Sequence, residues 1–163
     1  MPPFTKCLAG AAIAAALASP VCAQGVLTEK NLSLALAQTI ANAALAQCQG
    51  MGFKVSVTVL DRDGLAIVML RGDGAGLHTP EGADRKAYTA RAYGRPSADF
   101  AKRVQAEPSY APAMQYHRML ALGGGLPIKV GNEVIGAIGV SGSPGKDDVC
   151  AQAGIDKVAD QLK

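Results

Sequence analysis

The sequence contains no tryptophan, and only 4% of its 163 residues are aromatic. That scarcity argues against base-stacking platforms and carbohydrate-binding surfaces, which draw on aromatic faces. Two histidines are present, too few for a three-histidine zinc site. The formal net charge is +3, and no Lys/Arg cluster makes a local patch for nucleic acid. Charged residues make up 18% of the chain against 49% hydrophobic, a balance that supports a packed core and excludes wholesale disorder. No internal repeat or linker interrupts the chain, and its length suits one domain.

What is present first is an apolar leader. Lys6 supplies a positive start, Leu8 to Ala18 a short apolar run, and Ser19-Pro20-Val21-Cys22-Ala23 ends in a small residue suited to signal peptidase. The run is about half of the ~20 residues that span a bilayer, which disfavours the alternative of a retained anchor. Residues 1–23 are therefore expected to be a cleaved secretory signal, and residues 24–163 the mature, periplasmic or secreted domain. Cleavage removes Cys7 and Cys22 and leaves Cys48 and Cys150. In an oxidising compartment that even pair is expected to form a disulfide, with two buried free thiols as the alternative.

Along the mature chain, Thr28 is placed to cap a helix with the stripe Leu32, Leu36, Ile40, Ala44. Phe53, Val55, Val57 and Val59 then alternate with Lys54, Ser56 and Thr58, which predicts a strand with one wet or functional face. Asp61-Arg62-Asp63-Gly64 turns the chain into a returning strand that ends near Arg71. After a glycine-rich loop, Thr79-Pro80-Glu81 opens a second helix with Thr79 as its expected cap. Short helical pieces follow over 97–120. A second hairpin spans 127–140, and a last helix begins at Asp147-Asp148. The order α-β-β-α-(α)-β-β-α predicts an α+β fold, a single domain with a central antiparallel sheet and flanking helices.

The glycines do not spell a nucleotide site. Gly145-Lys146 is followed by Asp147 rather than Ser or Thr, and Gly72-Asp73-Gly74-Ala75-Gly76-Leu77 breaks the dinucleotide fingerprint. Gly139-Val140-Ser141-Gly142-Ser143 ends in Ser where a nucleophile elbow needs Gly. His78 stands directly before a helix start and beside a glycine loop, where its imidazole can face a pocket. His117 lies in a short polar-apolar segment. Either is a candidate axial ligand or hydrogen-bond donor to a cofactor, or a plain surface residue. Met69, Met114 and Met119 are second-ligand candidates or core fillers. No Cys-x-x-Cys-His occurs, so covalent haem attachment is excluded. Arg71, Lys86 and Arg91 form a cationic set suited to a carboxylate or propionate, or else a solvated face paired with Asp73 or Asp84.

Several segments read in order resemble a known family. They are Asp61-x-x-Gly64, Arg71-x-Asp73-Gly74-Ala75, Ala83-x-x-Lys86-Ala87-x-Thr89-Ala90 and Gly124-Gly125-Leu126-Pro127-Ile128, then Gly136 to Gly142 and Asp148-x-Cys150-Ala151-x-Ala153-Gly154. Over residues 26–163 the chain is similar to the GlcG/HbpS-like family, related to the C-terminal domain of PduO-type proteins. The resemblance implies a profilin-like domain that assembles into homo-oligomers. It also implies an exported haem- or iron-binding protein accessory to an extracytoplasmic, membrane-bound sensor. The family's shared positions fall here on Arg71, Lys86, Gly125, Pro127, Gly139, Ser141 and Gly142, a guide to a pocket rather than to a reaction. The resulting expectation is haem b near the Gly72–Gly76 loop, with His78 as the iron ligand and Arg71 or Lys86 near the propionates. Two other readings compete with it. One is a lyase, isomerase or hydrolase acting on a carboxylate through Lys86 and Arg71, and the other is a non-catalytic oligomeric interaction module.

Overall fold

The protein is described by a computed structural model that covers residues 25–163. The expected leader, residues 1–23, lies outside the described residues.

Ser33, rather than Thr28, caps the first helix, α1 (Leu34–Gly50), its hydroxyl accepting a hydrogen bond from Leu36 N–H. Leu32 still reaches the core, but from the segment before the helix. The first hairpin is β1 (Ser56–Leu60) and β2 (Ala66–Arg71). Helices α2 (Thr79–Tyr93) and α3 (Ser97–Ala106) follow, then a 3-10 segment over Pro108–Gln115. The second hairpin is β3 (Gly125–Val130) and β4 (Glu133–Ser141), and α4 (Asp147–Asp156) closes the fold. The four strands make one antiparallel sheet in the order β2-β1-β4-β3. This is the α+β architecture that the element order implies.

Both faces of the sheet are covered. Helices α1 and α4 pack together on one face over Val57, Val59, Ile138 and Val140. The disulfide Cys48–Cys150 joins these two helices, with the Cα atoms 5.5 Å apart. Helix α2 lies across the other face, over Leu60 and Ala137. The expected wet face of β1 is therefore absent, because α2 buries Ser56 and Thr58 completely. Polarity there serves helix–sheet contact: Ser56 Oγ and Thr79 Oγ1 are hydrogen-bonded at 2.8 Å. Thr79 is accordingly the first residue of α2, not its cap; that position belongs to His78.

The close seating of α2 explains two glycines. A Cβ at Gly139 would lie 2.0 Å from the Ala83 carbonyl oxygen, and one at Gly125 would lie 2.0 Å from that of Lys86. Neither neighbour can yield without lifting the helix backbone. We expect Gly139→Ala to cost about 3 kcal/mol, the upper end for overpacking, as read from the denaturant midpoint. An unchanged midpoint would mean that α2 does not lie this close to β4.

Candidate functional site

The start of α2 gathers the chemistry. His78, Gly82 and Lys86 recur at four-residue spacing and so share one side of the helix. Together with Glu81, Arg85, Leu120, Leu122 and Ser141 they line an open cavity of about 220 Å³. Ser141 reaches it from the end of β4, in a cross-strand row with Ser56 and Arg71 on the face that α2 covers. His78 is exposed at the rim, and Leu122 is also exposed there.

Lys86 is not a free amine in this cavity. It is 4% exposed, and its Nζ donates to Asp147 Oδ2 at 2.7 Å and to the Val140 carbonyl at 3.2 Å. Asp147 Oδ1 in turn accepts from Ser143 N–H and Ser143 Oγ. Ser143 Oγ also lies 3.2 Å from Cys48 Sγ, so the ion pair and the disulfide adjoin. Arg71 does not join Lys86 either. Its guanidinium donates to the Ala75 carbonyl, at 2.6 Å from Nη2, and so closes the glycine loop.

The other family-shared positions serve the scaffold. Gly125 and Gly139 lie beneath α2 as described, while Pro127 pairs with Ala137 in the edge strand β3. Gly142 has φ +124°, and a Cβ there would meet the Lys54 carbonyl at 2.6 Å. Of these positions, Ser141 and Lys86 line the cavity. Met119 is buried in the core, whereas Met69 and Met114 are exposed. Arg91 is half-buried and its Nε has no partner.

Sequence reasoning missed Arg85. Its Nη1 pairs with Glu81 at 3.2 Å and its Nη2 donates to the Met119 carbonyl at 2.8 Å, while its Nε has no acceptor. The available signal was helical spacing, since Arg85 follows His78 by seven residues, two turns along the same face. Arg85 and Glu81 also border a neighbouring cavity of about 530 Å³, lined further by Asp84, Met114, Tyr116, His117 and Arg118. The two histidines thus stand beside adjoining cavities. Arg118 adopts φ +66° and is held by a double hydrogen bond to Asp84 and by stacking on Tyr88. Beyond this cavity, Tyr93, Phe100 and Tyr110 form an aromatic cluster. Burial there, with a hydrogen bond to Tyr110, pushes the Tyr93 phenol up to about 12.

Among known proteins, residues 32–156 match the family described as haem degrading protein HbpS-like. The chain belongs to this family. It is 37% identical to a double mutant of Streptomyces reticuli HbpS, over 85% of this chain and 96% of that one, with a TM-score of 0.76. It is 27% identical to the protein in a crystal structure of a PduOC:heme complex, over 77% of this chain and 94% of that one, with a TM-score of 0.70. A Citrobacter freundii relative, an uncharacterised 15.0 kDa protein from the dhaT-dhaS intergenic region, is 31% identical over 72% of this chain and 84% of its own length.

The residues at the α2 cavity fit a haem held by one edge. An exposed imidazole stands at the rim, Leu120 and Leu122 offer apolar contact, and each Arg85 Nη keeps a second N–H. Size limits the fit, because 220 Å³ falls below the ~300–1,000 Å³ of pockets that enclose a ligand.

Proposed function

We propose that this protein is an exported haem-binding protein that holds haem b over the cavity at the start of α2. The observation that carries this reading is the convergence of His78, Arg85 and Ser141 on one cavity in a member of the HbpS-like family. In this arrangement His78 would supply the iron ligand, and Leu120 and Leu122 would give the porphyrin apolar contact. Arg85 replaces Arg71 and Lys86 as the cation nearest a propionate, since each of those is engaged within the fold. Bound haem would supply an iron centre for ligand or electron exchange, and the chain's own residues would hold and orient it.

The size of the cavity supports assembly. A haem would exceed this cavity, and exposed Leu122 at its lining, with Leu77 next to His78 in sequence, offers apolar surface that a second copy of the chain would cover. The Cys48–Cys150 disulfide supports an oxidising, periplasmic or secreted setting. An accessory role beside a membrane-bound sensor fits that setting. The structure gives less support to catalysis through Lys86 and Arg71, because the Lys86 amine is tied to Asp147 and the Val140 carbonyl and Arg71 does not line the cavity.

Titration of the purified protein with haemin tests the reading. The expected result is a shifted Soret band that saturates at a fixed stoichiometry. A spectrum identical to that of free haemin at every ratio would refute it.

A further inference from the structure

The floor of the α2 cavity has an unused hydrogen-bonding group. Ser141 is only 7% exposed, yet its Oγ takes part in none of the side-chain hydrogen bonds among the described residues. It packs against Gly82 in the first turn of α2, where a Cβ would stand 2.6 Å from it, so the missing side chain keeps the hydroxyl open to the cavity. The positive end of this 15-residue helix lies beside it. Arg85 borders the same space, and its Nη1 and Nη2, each donating once within the protein, keep a second N–H apiece. A ligand oxygen in the cavity can accept from these N–H groups, with charge assistance, and from Ser141 Oγ.

We propose that this cavity is a carboxylate site, with Ser141 Oγ and Arg85 as donors to a monoanionic carboxylate that carries an apolar tail. Two features set the ligand class. Arg85 is paired with the Glu81 carboxylate on the same wall, so the site lacks the surplus positive charge that a dianion such as phosphate calls for. Leu120 and Leu122 suit an aliphatic chain. Asp147 is near but already neutralised by Lys86. The carboxylate comes from one of two sources, a free short-chain acid or the propionate of a porphyrin. The second source rests on the haem reading above; the first does not.

The test uses sodium propionate as the free probe, and haemin against haemin dimethyl ester as the porphyrin probes. Propionate is expected to bind the protein in calorimetric or NMR titrations, with phosphate at least tenfold weaker. Ser141→Ala and Arg85→Gln should each weaken propionate about tenfold, as expected for a lost hydrogen bond to a charged group. An unchanged thermal melt in Ser141→Ala separates this effect from misfolding. If the porphyrin propionate uses the site, the ester binds about tenfold more weakly than haemin, and Ser141→Ala abolishes that difference. Haemin binding that is equal for acid and ester, with no propionate binding, overturns the carboxylate site and leaves the haem reading standing. Ser141-dependent propionate binding without any haemin binding does the reverse. Phosphate binding as tight as propionate overturns the assigned ligand class.

Discussion

Replacing Lys86 with methionine is expected to destabilise the protein by about 3–5 kcal/mol, the usual cost of removing one partner from a buried ion pair. Asp147 would keep its two hydrogen bonds from Ser143 but lose the cation 2.7 Å away, leaving a buried charge uncompensated. The effect should spread to the ligand cavity, because Lys86 ties α2 to the Val140 carbonyl of β4 and to the start of α4. A double-mutant cycle isolates the pair. Lys86→Met/Asp147→Asn should be more stable than Lys86→Met alone, since the second change removes the stranded charge. Equal denaturant midpoints for all four proteins would show that the pair is not buried as described. This outcome also bears on function, because a lysine required to hold the fold is a poor candidate for a free catalytic amine.

Loss of the disulfide is the second large effect. Cys48 and Cys150 are fully buried and 102 residues apart in sequence, so the bond closes a long loop in the unfolded chain. Chain-entropy reasoning gives about 4–5 kcal/mol for a loop of that size, and removal of native disulfides costs about 2–5 kcal/mol in practice. Cys48→Ser/Cys150→Ser should therefore melt on the order of 10 °C lower than the oxidised protein. The folded protein should also resist reduction by a small thiol until α1 and α4 separate, as neither sulfur meets solvent. An oxidised protein and a double-serine variant with the same melting temperature would contradict this role.

These two effects show what was legible in the chain and what was not. The hairpins could be read because apolar alternation and the Asp61–Gly64 turn are local signals. The Cys48–Cys150 bridge followed from the even cysteine pair left in the expected mature chain. The position of His78 before a Thr-Pro-Glu helix start was equally local. The fate of Lys86 was not, since its partner stands 61 residues away and only the packed fold brings them together. Ser56 and Thr58 misled for a related reason. Their polarity suggests solvent, but small hydroxyl groups tolerate burial when a helix supplies a partner, as Thr79 does for Ser56. Gly125 and Gly139 were read as pocket residues, yet their lack of a side chain admits the α2 backbone and not a ligand. Arg85 escaped notice because its i,i+4 pairing with Glu81 looks like any exposed helix pair.

The central claim is that the cavity at the start of α2, and not its neighbour, holds the haem. The two histidines separate these places, His78 beside the first and His117 beside the second. Haemin titrations of His78→Ala and His117→Ala, followed through the Soret band, make the comparison directly. Binding over the α2 cavity predicts that His78→Ala loses the shifted band or weakens it at least tenfold, while His117→Ala titrates like the parent protein. Loss of the band in His117→Ala with an unchanged His78→Ala would contradict it.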